Sequence, residues 1–271
     1  MNPFLRLASE LAALYARQPF SEFAGYLLCL AQAAPGVVRQ RTLAPADARM
    51  QGTATMRVNG QDLRIPLGQI AELLDGHDDT PTFGGLREMY ASNVYLRAFK
   101  PGFRIGTVVD LGANRGLFSL LAVKAYGARI AVGVEPSVHF SPVADLLRRA
   151  NDVADPAMPR EEAFAGSKGG AGSVSMAELM KSHKLGQVDF LKCDIEGGEF
   201  DVFLNGPDFL DRVGNIAMEL HPNCGPVQEI VDQLQLKGFA VRVTDQFGRA
   251  ADGGPPHYLY ASRIGDLIEE R

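Results

Sequence analysis

The strongest constraint on the fold is a stretch in the middle of the chain, where a strand pattern runs into a glycine-containing turn and then a helix. Residues 107–111 form a mainly apolar run, which is typical of a parallel strand buried on both faces. Gly112 and Gly116 follow, and apolar residues then recur at helical spacing. This order brings backbone N–H groups and a helix N-terminus up to a ligand. The pattern therefore predicts an α/β protein with a binding crevice at the end of this strand.

The turn departs from the dinucleotide-binding fingerprint at one position. That fingerprint needs a glycine where Asn114 stands, because the backbone there meets the pyrophosphate. Asp110, just before the turn, would repel pyrophosphate and attract a cationic ligand. A nucleoside that carries an amino acid fits better, and S-adenosylmethionine is such a ligand. A glycine turn with a purely structural role is the alternative.

An acidic residue ends the next apolar run, residues 130–134. Glu135 lies 23 positions after Gly112, close to the roughly 20-residue spacing at which an acid on the second strand binds ribose hydroxyls. A carboxylate suits this position because it accepts two hydrogen bonds from a vicinal diol, and Pro136 ends the strand. A solvated loop acid is the alternative, which the combined spacing of the two motifs disfavours.

A third apolar run, residues 188–193, is followed by Asp194, Glu196 and Glu199 around a glycine pair. Ligands of open α/β sheets collect at the carboxyl ends of the strands, so these acids are expected to face the crevice of the glycine turn. Three acids this close repel one another and need a cation, an amine or a proton between them. Glu199 could equally be a first-turn acid favoured by the dipole of the next helix.

Four motifs in this order resemble the FkbM family of S-adenosylmethionine-dependent methyltransferases. They are Asp-Leu-Gly-Ala-Asn-Arg-Gly-Leu-Phe-Ser, Val-Glu-Pro-Ser, Asp-Phe-Leu-Lys-Cys-Asp-Ile-Glu-Gly-Gly-Glu-Phe and Ala-Met-Glu-Leu-His. The resemblance covers about residues 105–262 and departs at Cys193, where an aliphatic residue is usual. It implies a Rossmann-like class I methyltransferase fold, with helices on both faces of seven mostly parallel strands ordered 3-2-1-4-5-7-6. It also implies O-methylation of a hydroxyl on a sugar, glycan or secondary metabolite.

Candidate site residues follow from these motifs. His221 is the preferred base, because the unperturbed pKa of histidine lies near neutrality; a histidine that caps the strand end is the alternative. Glu196, Glu199 and Glu219 complete the catalytic candidates, and Glu196 and His221 are expected to lie nearest the acceptor. Asp194 is expected to lie nearest the cofactor. The cofactor-binding candidates are Asp110, Gly112, Ala113, Asn114, Gly116, Phe118, Glu135, Pro136, Ser137, Ala165, Gly166 and Asp194.

A divalent metal is an alternative partner for the acid-rich end of the sheet, since oxygen ligands suit magnesium. The spacing of Asp194, Glu196, Glu219 and His221 gives no ligand signature, so a metal is not favoured. His139, His183 and His257 are assigned to helix surfaces or loops.

The rest of the catalytic domain alternates strands and helices, which predicts a parallel sheet. A weak third strand is expected at residues 163–165, and the glycine-rich loop 166–172 is expected to pass near the adenine. The last two strands are expected at 239–244 and 257–262 and form a hairpin, which makes one strand antiparallel.

Residues 1–100 are predicted to be an extension and residues 101–271 the methyltransferase domain. Two amphipathic helices, separated near Gln18 and ending before Pro35, begin the extension. Their longest uncharged run is too short and too polar to span a membrane. They are expected to form a lid or a homodimer surface rather than a membrane-surface anchor, because their polar face has few basic residues. A hairpin over residues 53–66 follows, and Tyr90 and Tyr95 either cover the cofactor or only pack.

Composition narrows the function classes further. The net charge is −5 with both signs interspersed, which argues against a nucleic-acid surface. Three cysteines, without C-x-x-C spacing, fit a reducing, cytoplasmic location and no zinc site. Two other classes stay open. One is a nicotinamide oxidoreductase, which Asn114 disfavours, and the other is a non-catalytic cofactor-binding module.

Overall fold

The computed structural model describes residues 3–100, 103, 105–251 and 254–264. The predicted boundary between extension and catalytic domain adjoins residues 101 and 102, which lie outside this part of the chain. The division into two domains therefore stays a prediction. Within the described residues, no helix is both long and apolar enough to cross a membrane.

The extension combines short helices with one hairpin. Its elements are α1 (Pro3–Tyr15), α2 (Phe20–Gln40), α3 (Ala44–Asp47), β1 (Thr53–Val58), β2 (Gln61–Pro66), α4 (Leu67–Leu74) and α5 (Thr82–Leu86), followed by a π-helical turn (Arg87–Ala91). The predicted hairpin is confirmed. Its turn residues Asn59 and Gly60 have φ angles of 49° and 76°, the left-handed conformation that a tight hairpin turn requires.

The predicted end of the second helix is wrong. Helix α2 continues through Pro35 to Gln40, although proline removes one intrahelical hydrogen bond. Tertiary packing holds the extra turn, because the backbone of Gly36 lies against Pro45 so closely that a Cβ there would come within 3.2 Å of the proline ring. Local sequence signals do not contain this contact.

The part of the chain after the extension is built on one seven-stranded sheet with a small parallel pair beside it. Its elements are β3 (Thr107–Leu111), α6 (Leu117–Tyr126), β4 (Ile130–Val134), α7 (Ser141–Ala150), β5 (Arg160–Glu161), β6 (Phe164–Gly166), β7 (Ser173–Ser175), α8 (Met176–Ser182), β8 (Val188–Cys193), β9 (Val213–Glu219), α9 (Val227–Leu236), β10 (Ala240–Thr244) and β11 (Tyr258–Ser262). The strand order is β10-β11-β9-β8-β3-β4-β5, and only β11 runs against its neighbours. This is the implied order 3-2-1-4-5-7-6, so the predicted fold is confirmed.

The third strand of the sheet lies earlier than predicted. The edge of the sheet is the two-residue strand β5, whereas the predicted strand 163–165 overlaps β6, which pairs with β7 outside the main sheet. Strand β5 contains Arg160 and Glu161 and is therefore too polar and too short to show an apolar run.

The two faces of the sheet carry two apolar clusters. One face packs on α6, α7 and the extension, with Leu14, Tyr26 and Phe83 in the same cluster as Val108 and Phe190. The other face packs on α8 and α9. The extension thus shares a core with the sheet. It packs on the same face as α6 and α7.

Candidate functional site

The glycine turn after β3 is shaped by close approach between strands. Gly112 has a φ of 72°, and a Cβ at this position would lie 1.7 Å from the carbonyl oxygen of Asp194. No other residue can occupy such a site without moving the backbone. Gly116 has a φ of 83° and begins α6. The two glycines therefore fix the loop that brings the carboxyl ends of β3 and β8 together at the crevice.

Glu135 ends β4 and holds the turn by its carboxylate. One oxygen accepts the backbone N–H of Asn114 at 2.9 Å, and the other accepts the N–H of Ser137 at 3.0 Å. The side chain is 8% exposed, and each carboxylate oxygen has a second acceptor position. The geometry is thus compatible with the predicted ribose contact, which stays a prediction together with those of Ala113, Pro136 and Ser137.

Asp110 does not present its carboxylate to a ligand, and this part of the prediction is wrong. The residue is fully buried. Its carboxylate accepts the hydroxyl of Ser119 at 2.7 Å and lies 3.2 Å from the ammonium of Lys192. The strand pleat turns Asp110 toward α6 and away from the open end of the sheet. Its contacts are therefore with buried residues below the site.

Lys192 is a residue that motif reasoning did not assign. Its side chain is 1% exposed, and the ammonium donates to the carbonyl oxygens of Gly112 at 2.7 Å and Leu111 at 3.3 Å. Burial alone would lower its pKa, but the carboxylates of Asp110 and Asp194 outweigh burial and raise the pKa above its usual value. A lysine inside an apolar strand was the available signal, because a buried ammonium requires partners.

Phe118 is also corrected. Its ring is 1% exposed and packs edge-on against Tyr95 and tilted against Phe190. It belongs to the core under the crevice and does not line the cofactor site. The hydroxyl of Tyr95 donates to Asp194 at 2.8 Å, and that of Tyr90 donates to the carbonyl of Leu117 at 2.7 Å. The extension therefore reaches the acid-rich end of the sheet through Tyr95.

The loop after β8 and the end of β9 form a carboxylate–histidine pair. The backbone N–H and Nδ1 of His221 both lie 2.9 Å from one oxygen of Glu199. The other oxygen accepts the N–H of Gly197 at 2.8 Å, and Glu199 is fully buried. Glu199 is thus more than a first-turn acid. Because Nδ1 of His221 faces Glu199, Nε2 points away from that carboxylate.

Nε2 of His221 lies 3.3 Å from the carboxylate of Glu196, whose side chain is 88% exposed. Asp194, Glu196 and His221 offer ligand atoms that all lie within 4.8 Å of one another, which is close enough to hold a metal ion. Glu196 has a φ of 53°, an uncommon conformation for a residue other than glycine, asparagine or aspartate. The structure thus brings together three of the four candidate metal ligands, and a divalent metal here stays an alternative.

Glu219 ends β9, and His257 lies just before the neighbouring strand β11, at the same end of the sheet. Burial, followed by the nearby carboxylates of Asp194 and Glu88, raises the pKa of Glu219 to about 8. His257 lies in a loop, as predicted, but its Nε2 is only 3.4 Å from Glu219, a contact that was not predicted. The cause is strand direction: β11 is antiparallel, and its first residue pairs with Glu219.

The loop of residues 76–81 lies against the glycine turn, a contact that the sequence did not reveal. Arg115 donates to Asp78 at 2.8 Å and to the carbonyl of Thr80 at 2.8 Å. His77 stacks on His139 with ring centroids 3.7 Å apart. The loop of residues 76–81 therefore contacts the residue after Asn114 and, through His77, the segment that follows Glu135.

The predicted adenine loop is held mainly by its own neighbours. Ala165 and Gly166 belong to β6, and Ser167 donates through its backbone N–H and hydroxyl to Asp201 at 2.8 and 2.9 Å. A contact of this loop with adenine stays a prediction.

Comparison with known proteins gives one family match. The model of the methyltransferase FkbM domain matches residues 172–241, and no curated protein matches the sequence. The solved structure of methyltransferase FkbM from Methylobacillus flagellatus KT is 16% identical over 72% of this chain and 57% of its own, with a TM-score of 0.45. The precorrin-6y C5,15-methyltransferase from Geobacter metallireducens GS-15 is 14% identical over 64% of this chain and 88% of its own, with a TM-score of 0.44.

The strand order is that of a Rossmann-like class I methyltransferase fold, and the methyltransferase domain matched over residues 172–241 supports an S-adenosylmethionine-dependent methyltransferase. The matched segment contains the acid-rich loop, Glu219 and His221. The third and fourth motifs lie in this segment, so the family match agrees with the resemblance to the FkbM family over residues 172–241.

Proposed function

We propose that this methyltransferase transfers the methyl group to a hydroxyl oxygen, on a sugar, glycan or secondary metabolite, and that His221 is the base that takes the hydroxyl proton. The observation that supports this most is the contact between Nδ1 of His221 and the buried carboxylate of Glu199, at 2.9 Å. An alcohol must lose its proton as it attacks, and a base held in one orientation lowers that barrier.

The crevice offers groups that fit the cofactor. The carboxylate of Glu135 has acceptor capacity for the ribose diol, and Asp194 places a partly exposed carboxylate beside Gly112 for the cationic amino-acid part. S-adenosylmethionine supplies the methyl group from its sulfonium when bound. The protein has to align donor and acceptor and exclude water, and the extension helps to position Asp194 through the hydroxyl of the buried Tyr95.

The acceptor side is assigned to Glu196, Glu219 and His221. With a pKa of about 8, Glu219 is mostly protonated at neutral pH. Its carboxyl group donates a hydrogen bond to an oxygen of the methyl acceptor. Glu196 is exposed and orients the hydroxyl, while Nε2 of His221 removes its proton. A small-molecule or glycan acceptor suits this set of groups, and the net charge of −5 disfavours a nucleic acid.

The test is turnover of purified variants with a panel of hydroxylated acceptors. His221→Ala is expected to lower kcat about a hundredfold or more, the usual scale for loss of a general base, while the Kd for S-adenosylmethionine changes by no more than a few-fold. Glu199→Gln is expected to lower kcat by a smaller factor. His183→Ala is the matched control, because His183 pairs with Glu161 outside the site.

Normal turnover in His221→Ala would refute the base assignment. If wild-type activity disappears with a chelator and returns with magnesium, His221 is a metal ligand instead of a base. Cofactor binding without turnover on any acceptor would favour the non-catalytic module.

We also propose that the protein forms a homodimer through α1 and α2. Their surface leaves large apolar side chains exposed, namely Tyr15, Phe20, Leu27, Leu28 and Val38. Light scattering of the wild type should give the mass of a dimer, and Leu28→Glu should give that of a monomer. A monomeric wild type would contradict this proposal.

A further inference from the structure

We propose that Lys192 is a positioning residue whose ammonium sets the preference of the crevice between the cationic methyl donor and its neutral demethylated product. This inference rests on the proposed cofactor site around Gly112 and Asp194. It concerns a side chain that is sealed under the site and makes no contact with solvent.

The ammonium of Lys192 donates two hydrogen bonds to backbone carbonyls and forms an ion pair with Asp110. Three acceptors lie within hydrogen-bonding or ion-pairing distance: the carbonyl oxygens of Gly112 and Leu111 at 2.7 and 3.3 Å and Asp110 at 3.2 Å. The carboxylate of Asp194 lies further away, at 3.8 Å. These contacts hold the side chain between β3 and β8.

The two carboxylates beside Lys192 leave this part of the crevice with one excess negative charge. Arg160 interacts with Glu135, Asp110 and Glu162, and the substitutions proposed below leave Glu135, Arg160 and Glu162 unchanged. Removal of the ammonium would raise the excess to two negative charges. Ser119 and Tyr95 donate to the two carboxylates, but neither hydroxyl replaces the missing positive charge.

The donor and the product differ by one charge, because the sulfonium becomes a neutral thioether. Any fixed charge near the crevice therefore acts unequally on the two molecules, and the effect is strong where water is excluded. By offsetting the charges of Asp110 and Asp194, Lys192 would lessen the electrostatic preference of the crevice for the cationic donor over the neutral product. An interaction that favours the cationic ground state over the transition state would lower kcat.

The experiment compares the Kd values of S-adenosylmethionine and S-adenosylhomocysteine by calorimetry. In Lys192→Met, the ratio of product Kd to donor Kd is expected to rise about tenfold, equivalent to about 1.4 kcal/mol. Lys192→Arg should keep a ratio near that of the wild type. The pair Asp110→Asn with Lys192→Met restores the charge balance and should return the ratio toward the wild-type value.

Asp110→Asn alone keeps the buried lysine and nearly the same side-chain shape, so it serves if Lys192→Met does not fold. It is expected to lower the ratio about tenfold. Lys124→Met is the control, since Lys124 binds a backbone carbonyl at the far end of α6. Circular dichroism confirms that each variant is folded.

A merely structural role for Lys192 would weaken both ligands by the same factor and leave the ratio unchanged. That result in a folded Lys192→Met, or an unchanged ratio in Asp110→Asn, would overturn the proposal. Failure of the wild type to bind either molecule would instead refute the cofactor site itself.

Discussion

Replacement of Glu219 by glutamine should remove a pH dependence of stability from the protein. Glu219 lies at the end of β9, with 21% of its side chain exposed. Burial and the carboxylates of Asp194 and Glu88 raise its pKa from 4.5 to about 8. Ionisation is thus more costly in the folded protein than in the unfolded chain.

The sign of the effect follows from proton binding. Between pH 4.5 and about 8, the folded state holds the Glu219 proton and the unfolded state has lost it, so stability falls as the pH rises. The stabilising contribution is complete below the unfolded pKa and is lost as the pH passes through the folded value. Since one pKa unit corresponds to about 1.4 kcal/mol, the upper limit of the loss is of the order of 5 kcal/mol.

Urea unfolding from pH 5 to pH 9 measures this contribution. Glutamine resembles the protonated acid, so Glu219→Gln should show a flatter pH profile and greater stability than the wild type above pH 8. Glu229→Gln, on the exposed side of α9, is the control and should follow the wild type. Parallel profiles for Glu219→Gln and the wild type would refute the assignment of a buried, protonated carboxyl.

Two further predictions concern the cofactor side. Glu135→Ala should weaken S-adenosylmethionine binding by about 1–3 kcal/mol in calorimetry, the cost of charge-assisted hydrogen bonds; an unchanged Kd would mean that the ribose is held elsewhere. Asp78→Asn should lower the free energy of unfolding by about 1–3 kcal/mol, because Arg115 is only 7% exposed beside it; an unchanged urea midpoint would show that the loop of residues 76–81 is not held by this pair.

The sheet could be predicted from sequence because its strands carry strong local signals. The apolar runs of β3, β4 and β8 and the turn at Asn59 each follow from side-chain pattern and backbone preference. The edge strand β5 could not, since two polar residues give no periodicity. The extra turn of α2 could not be predicted either, because Pro35 signals a helix end and the contact of Gly36 with Pro45 exists only in the folded chain.

Site residues that directly follow a strand could be predicted from the sequence. Residues whose role depends on how deeply the side chain is buried could not. Strand ends placed Glu135, Asp194 and His221 at one edge of the sheet. Asp110 and Lys192 are buried below the crevice because of the face of the sheet on which the strand pleat places them. His257 lies beside Glu219 because β11 runs antiparallel to β9. The pairing of Glu199 with His221 requires the fold of two loops. Such contacts join residues that no spacing rule connects.

Calorimetric titration of the wild-type protein with S-adenosylmethionine, S-adenosylhomocysteine and NAD⁺ is the most direct measurement. Binding of the first two with Kd values in the micromolar range, about −8 kcal/mol, and no heat with NAD⁺ is the expected result. The glycine turn, Glu135 and Asp194 would then have the assigned partner. Heats equal to dilution for both adenosyl compounds, or saturable binding of NAD⁺ alone, would contradict a methyltransferase cofactor site in this crevice.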